Sequence, residues 1–474
     1  MRDFSPLRNG IVFSLILLTG CANLSVDDAP AVPVQPPVQW AGSDAASGQV
    51  NGWLKTFNDD ELQALVNQAV NLDSGNFNLR SLASRVKAAQ AQQKVVNADR
   101  WPQLAAVLSG ARSKQDINGV EVKGNEFGLQ AQLSWELDLW GRLSNRSWAS
   151  FLDFSASEAD LEAARLSLAA NVARGWYDAI AALRQQQLAE ETATSFSQSL
   201  AVVEERYRSG IGDALDVSLA RANAASAQSQ LEARRIQADS SVLALETLLG
   251  KYPARQLTVA SELPALAATP NAGVPAQLVD RRPDVQAARL RLLAEMSRNV
   301  AVQRNWLPSL NLTGFDGSSS DDFSDVFDLE NLAWRIAAQL TAPLFQGGRL
   351  KAQRAQQDAL EEQALWDYAG AALQAFQEVE AALRAERYLA GQEQAQATAT
   401  RESLLAEELA GERYASGLID IITLLEAQRR AFDSQRALID VRNQRLQNRI
   451  NLHLALGGDF SDAPAANALN KEST

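Results

Sequence analysis

Two periodicities alternate along the chain, and each occurs twice. From Phe127 to Leu139 the apolar residues Phe127, Leu129, Ala131, Leu133, Trp135, Leu137 and Leu139 alternate unbroken with Gly128, Gln130, Gln132, Ser134, Glu136 and Asp138. Strict alternation predicts a strand with one apolar and one polar face. A second such stretch carries Trp334, Ile336, Ala338, Leu340, Ala342 and Leu344 on one face and Arg335, Gln339 and Thr341 on the other. Their preceding partners are less regular, with Leu104, Ala106 and Leu108 in one and Leu310 and Leu312 in the other. Strands are therefore expected at about 103–112, 127–139, 309–317 and 332–345.

After each hairpin the period lengthens. Leu161, Leu168, Val172, Trp176, Ile180 and Leu183 form a helical stripe that continues through Phe196, Leu200, Val203 and Tyr207. This predicts one long helix over about 144–208. Gly210 and Gly212 break it, and a second helix follows over about 214–249, ended by Gly250. A helix over 78–100 precedes the first hairpin and stops before Pro102. The second half repeats the scheme with a helix over 350–414, a break at Ser416-Gly417 and a helix over 420–456. Some sixty helical residues span roughly 90–100 Å. Such a helix needs partners along its length, and helices 78–100 and 214–249, stacked end to end, nearly match it.

The two halves are a tandem duplication. Gly141-Arg142-Leu143 recurs as Gly348-Arg349-Leu350, Arg206-Tyr207-x-Ser209-Gly210 as Arg413-Tyr414-x-Ser416-Gly417, and Leu249-Gly250 as Leu456-Gly457, all at an offset of 207. Trp101-Pro102-x-Leu104 recurs as Leu307-Pro308-x-Leu310 at an offset of 206. Length alone suggests about three domains, whereas the repeat means two copies of one unit. The expected organisation is a signal peptide over 1–20, a lipid-anchored Pro-rich segment over 21–57, repeat 1 over 58–250 and an inter-repeat equatorial segment over 251–275. Repeat 2 follows over 276–457, with a C-terminal tail over 458–474.

The start of the chain changes the picture. Arg2 and Arg8 precede the apolar run Ile11 to Leu18, which suits a signal-peptide core and is far too short to span a bilayer. Leu18-Thr19-Gly20-Cys21 resembles the bacterial lipobox, which makes Cys21 an acylation site, and Cys21 is the only cysteine in the chain. Ala22 stands where sorted inner-membrane lipoproteins have Asp, which by that resemblance favours the outer membrane. Several acyl chains anchor firmly where one binds marginally. Residues 29–37 contain four prolines and read as an extended tether.

Alternation over eleven to thirteen residues fits a barrel strand with lipid on one side and water on the other. A soluble half-buried sheet gives the same alternation, but its strands usually have five or six residues. Trp101, Trp140, Trp148 and Trp306 fall just beyond strand ends, where an interfacial aromatic belt belongs. Four strands cannot close a barrel, because the smallest membrane barrels use eight. Three copies give twelve strands and two give eight, so a homotrimer is expected and a dimer also closes.

Composition excludes other classes. With 44 Lys and Arg against 57 Asp and Glu, the net charge of −13 makes nucleic acid a poor partner. One His, one Cys and two Met leave little for a soft-metal site, and no metal or cofactor is expected. No nucleophile elbow or phosphate loop occurs, and His453 reads as a packed residue, so the chain is not expected to be an enzyme.

Together, Cys21, the two repeats, Trp135-x-x-Asp138-x-Trp140-Gly141-Arg142, Leu344-Phe345-Gln346-Gly347-Gly348-Arg349 and Arg281-Arg282-Pro283-Asp284-Val285 resemble the outer-membrane factor family (TolC-like). The likeness is to the lipoprotein channels of resistance-nodulation-division efflux systems and covers the mature chain. It implies a mainly α fold with a transmembrane β-barrel: a twelve-stranded barrel on an α-helical periplasmic tunnel, formed by a trimer in outer-membrane lipid. It also implies a periplasmic adaptor (membrane fusion) protein and an inner-membrane efflux transporter as partners. Other functions in view are a channel for type I protein secretion or metal-ion efflux, and a non-channel structural envelope lipoprotein. Arg289 stands where the family usually has Glu, and Trp306-Leu307 replaces an aromatic before the proline.

Two constellations remain. Local folding needs a Gly at each reversal but not the same Arg and Tyr twice, so Arg206, Tyr207, Gly210, Arg413, Tyr414 and Gly417 suggest a shared surface. By the resemblance, the adaptor docks there; the alternative is that Arg and Tyr cover their own helices. Ile422, Glu426 and Arg429 lie at i, i+4 and i+7 on one helix face. Around a threefold axis they become rings that narrow the pore and attract cations, which matches the family's periplasmic gate. The alternative is a solvated face with an exposed Glu–Arg pair.

Overall fold

A computed structural model describes residues 36–42, 52–117, 120–267, 269–270, 272–328, 330 and 332–460. In order, these form α1 (Asp60–Ala69), α2 (Phe77–Ala98), β1 (Gln103–Ile117), β2 (Val120–Leu137), α3 (Arg142–Arg208) and α4 (Ala214–Leu248). After a connecting segment that closes with a short 3-10 helix (Pro275–Gln277) come α5 (Leu278–Arg281), α6 (Pro283–Gln303), β3 (Ser309–Ser320), β4 (Leu332–Thr341), α7 (Arg349–Ala415) and α8 (Ile421–Ala455). Helices α3 and α7 have 67 residues each, α4 and α8 have 35 each, and each pair is offset by 207. Cys21 and the apolar run before it lie outside the described residues.

The chain divides into two units. One consists of Ala91–Leu152 and Leu292–Gln363 and holds a four-stranded antiparallel sheet in the order β1-β2-β3-β4. The register pairs Leu104 with Leu133, Leu108 with Leu129, Trp135 with Leu312 and Leu310 with Leu340, so the apolar positions share one face. The first hairpin is longer than the alternation predicted, because β1 runs to Ile117 and β2 starts at Val120, beyond 112 and 127. Its outer half has no apolar period. There Lys114 and Lys123 instead pair with Glu121, each at 2.7 Å. Strand β4 stops at Thr341 rather than 345, since Pro343 offers no N–H to a ladder.

The other unit contains the described residues of Pro30–Gln90, Asp153–Arg291 and Ala364–Thr474. Side-chain bonds order its long helices α4, α3, α8, α7: Arg234 of α4 donates to Gln185 of α3, Gln447 of α8 to Asp178 of α3, and Asn448 of α8 to the Ala382 carbonyl of α7. Short helices abut end to end. Asn76 Nδ2 donates to Leu248 O at 3.0 Å where α4 meets α2, and Arg282 Nη1 to Ala455 O at 3.3 Å where α8 meets the start of α6. Gly250 (φ +73°) and Gly457 (φ +68°) sit at these junctions, where a Cβ would stand 2.9 Å from Gly75 O and 3.1 Å from Arg281. The core gathers Trp53, Phe57, Leu62 and Val66 against Val172, Trp176 and Ile180 of α3. Part of the N-terminal segment docks instead against α7, with Trp40 buried, its ring 6.3 Å from that of Phe376 and its Nε1 donating to Ala272 O at 3.2 Å.

Candidate functional site

The first candidate surface is the apolar face of the sheet. Because paired residues in an antiparallel ladder share a face, the register alone collects Leu104, Leu108, Leu129, Leu133, Trp135, Leu310, Leu312, Trp334, Ile336 and Leu340 on one side. The other side holds Gln130, Gln132, Ser134, Asn311, Thr313, Arg335 and Gln339. The apolar side is uncovered in the single chain: Leu104, Trp334 and Ile336 are about three-quarters exposed. β1 and β4 end the sheet, each with one edge unpaired among the described residues.

Aromatic residues bound this face at both ends. At the hairpin end, Phe127, Phe323 and Phe327 form an edge-to-face chain with centroids 5.6 and 5.7 Å apart. At the helix end lie exposed Trp101, Trp140 and Trp306. Trp135 Nε1 donates to Arg100 O at 2.9 Å and Trp140 Nε1 to Pro308 O at 2.6 Å. Trp148 does not belong to this group: it lies inside α3, half-buried and stacked on Phe151 at 5.0 Å. The phenylalanine cluster went unread in the sequence, because Phe323 and Phe327 lie outside any alternating run.

The motif joining β2 to α3 has a local explanation. Asp138 accepts from Leu143 N at 2.9 Å and Ser144 N at 2.7 Å, capping the free amides of the helix start. Arg142 bonds Glu136 at 2.6 Å, and Gly141 turns the chain with φ +73°. Arg282 of the second-repeat motif is buried and bridges Asp284 at 2.7 Å and Glu378 at 2.6 Å. Arg289 faces Asp280 at 3.5 Å, so an ion pair forms without the family's Glu.

Both reversals end in the same motif. Gly210 (φ +74°) donates to Tyr207 O at 3.0 Å and Ile211 N to Arg206 O at 3.0 Å; Gly417 (φ +72°) and Leu418 do the same to Tyr414 O and Arg413 O. Asp213 and Asp420 then cap α4 and α8. The Arg and Tyr residues are not equivalent. Arg206 Nη1 donates to Tyr414 O at 3.0 Å, and its guanidinium lies 4.8 Å from the Tyr414 ring centre. Tyr414 is buried, whereas Tyr207 is 48% exposed and Arg413 is exposed. Two of the six residues expected on a common docking surface therefore face each other, and the exposed apolar residues at the tips are Ile211 and Leu418.

Ile422, Glu426 and Arg429 lie together on the exposed face of α8, opposite buried Ile421, Leu424, Leu425 and Gln428. Glu426 pairs with Arg430 at 3.2 Å rather than with Arg429, an i, i+4 spacing readable in the sequence. Ile422 is 52% exposed. Gln428, which the sequence left unremarked, donates to Ser195 and Ser199 of α3 at 3.0 Å each. His453 is buried and stacked on Trp53 at 5.7 Å, with neither ring nitrogen bonded. No helix among the described residues is long and apolar enough to cross a membrane.

A family model described as outer membrane efflux protein matches residues 70–251 and 274–458. The chain is similar to outer membrane protein OprJ of Pseudomonas aeruginosa, 33% identical over 467 residues that cover 96% of each chain. It is also similar to the cation efflux system protein CusC of Escherichia coli, 31% identical over 454 residues, 94% of this chain and 97% of that one. Among solved structures it is similar to the outer-membrane channel OprN, with a TM-score of 0.84 and 26% identity over 91% of this chain and 98% of that chain.

Proposed function

Because the chain belongs to the outer membrane efflux protein family, we propose that it is an outer-membrane channel through which substrates leave the cell passively. The observation that carries this reading is the sheet: one face apolar except for Asp316, aromatic residues at both ends of it, and two edges unpaired among the described residues. A sheet with an open edge pairs with another strand or aggregates. In a trimer, β4 of each copy meets β1 of the next and closes twelve strands, with the polar side lining a water-filled lumen. The long helices belong to the periplasmic side, where an adaptor and an inner-membrane transporter deliver the substrate. Acylated Cys21 adds a lipid anchor. At the periplasmic end the reversals dock the adaptor, chiefly through exposed Ile211 and Leu418. Ile422, Glu426 and Arg429 form the resting gate. No step requires a catalytic residue or cofactor.

The name of CusC, a cation efflux system protein, supports cations as one substrate class for this channel. The channel reading is tested by reconstituting the purified full chain in a planar bilayer. Discrete conductance steps are expected from a species that native mass spectrometry weighs as a trimer. A trimer that conducts nothing would leave only a structural envelope lipoprotein.

A further inference from the structure

The duplication allows an interface inside the chain to predict an interface between chains. Repeat 1 meets repeat 2 where α3 lies beside α8, and at the tip Arg206 of the first reversal reaches Tyr414 of the second. An offset of 207 carries α3 onto α7, and it carries α4 onto α8. The same offset carries Arg206 onto Arg413 and Tyr207 onto Tyr414. Thus Arg413 and Tyr207 are the repeat-equivalents of the two residues already joined, with the roles of the halves exchanged. They are also the two left over: Arg413 is exposed with no ion pair or ring contact among the described residues, and Tyr207 is 48% exposed.

We propose that Arg413 of each subunit clamps Tyr207 of the next, its guanidinium over the ring and bonded to the Tyr207 carbonyl, so that six Arg–Tyr clamps, alternately within and between chains, hold the tips of the ring. The proposal rests on the trimeric channel reading above, and its occupant is a second copy of this chain. A head-to-tail contact of this kind closes into a ring when its rotation is right. Two repeats related by half the rotation that relates neighbouring subunits of a trimer space six repeats evenly round one ring and meet that condition. A guanidinium over an aromatic ring is attractive, more so when the pair leaves water.

The rest of the seam agrees. Within the chain, Gln428 of α8 bonds Ser195 and Ser199 of α3. The repeat-equivalents are Arg221 of α4 for Gln428, and Glu402 and Ala406 of α7 for the two serines. Between subunits this places a cation opposite an acid, and both side chains are more than 60% exposed in the single chain. Farther along, Asn443 of α8 donates to Asp178 of α3 at 2.7 Å. Their equivalents are Ile236 and Ala385, an apolar pair, and Ile236 is 69% exposed until something covers it. The α4 and α7 flanks thus carry complementary partners at the positions where the internal seam makes its bonds.

Thiol cross-linking in the full-length protein tests the clamp. The double variant Arg206→Cys/Tyr414→Cys serves as a ruler: among bismaleimides of graded length, the shortest that joins it within one chain is chosen. The same reagent should convert Tyr207→Cys/Arg413→Cys into covalent dimers and trimers on a denaturing gel, while each single variant stays monomeric. Native mass spectrometry of the same samples reports assembly separately. A trimer whose Tyr207→Cys/Arg413→Cys pair does not link would overturn the clamp and leave the channel reading standing. A chain that never forms a trimer would remove both. In otherwise unaltered protein, Tyr207→Phe should dissociate at the wild-type temperature, because ring and carbonyl remain, whereas Tyr207→Ala and Arg413→Ala should dissociate several degrees lower.

Discussion

Glu246 and His453 occupy equivalent places near the ends of α4 and α8, 207 residues apart, and both are buried. Their environments could hardly differ more. Burial pushes the Glu246 carboxyl up, but the N–H groups of Arg255, Gln256 and Leu257, at 2.8, 2.6 and 3.0 Å, outweigh it and hold the carboxyl below the usual range. That contact pins the start of the segment between the repeats. His453 instead meets Trp53 and Phe57, and burial first, then Arg449, pushes its imidazole down to about 3 from 6.5. Between those two pH values the unfolded chain binds a proton that the folded chain refuses, so stability rises with pH across the window. It is fully present above pH 6.5, is lost as pH falls, and declines no further from this group below about 3. Each pKa unit corresponds to roughly 1.4 kcal/mol. Urea unfolding of the detergent-solubilised protein should therefore show the wild type losing stability faster than His453→Leu as pH is lowered from 6.5 toward 3. Parallel curves would mean that the imidazole does not stay neutral.

Among the elements, repeat 2 carries an ionic cluster where repeat 1 is apolar. Arg449 of α8 and Glu386 of α7 lie 2.6 Å apart with side chains 2% and 6% exposed, and Arg445 reaches the same carboxylate at 3.2 Å. Arg449 also donates to Ala267 O at 2.8 Å, which ties the inter-repeat segment to α8. The equivalent residues in repeat 1 are Ala179 and Val242, both buried. Removing one partner of a buried pair strands the other charge and costs about 3–5 kcal/mol. Glu386→Ala should lose that much in a denaturant titration, and Glu386→Ala/Arg449→Val, which installs the repeat 1 residues, should recover part of it. Equal losses for the single and double variants would show that the charges do not depend on one another. Helix lengths, reversals and the repeat were legible in the sequence, because Gly at a fixed offset and a long stripe are local signals. The outer half of the first hairpin was not, since Arg112 to Asp116 and Glu121 to Glu126 give no period to read. Nor was the Arg206–Tyr414 contact, because the motif is identical in both copies and only the fold distinguishes which Arg meets which Tyr.

At the scale of the whole molecule, the proposed gate depends on what a ring makes of a surface that is merely exposed in one chain. Ile422 is 52% exposed and its repeat-equivalent Leu215 is 59% exposed, so a trimer places six apolar side chains near the same level of its helical wall. A narrow apolar ring resists wetting, and an acidic ring beside it favours cations. Neither effect stabilises the fold. The Glu426–Arg430 pair has side chains 49% and 78% exposed, and such a pair is worth about 0–1 kcal/mol. The core contacts of this part of α8 are made by Ile421, Leu424 and Leu425, on the opposite face. Ile422→Ala/Glu426→Ala should therefore raise the resting conductance in a planar bilayer and lower the preference for cations, with trimer melting within a few degrees of wild type. If conductance and selectivity both match wild type, the constriction belongs to Leu215 to Leu219 on α4. In that case Leu215→Ala alone should open the channel, because the internal duplication gives repeat 1 the same access to the axis as repeat 2.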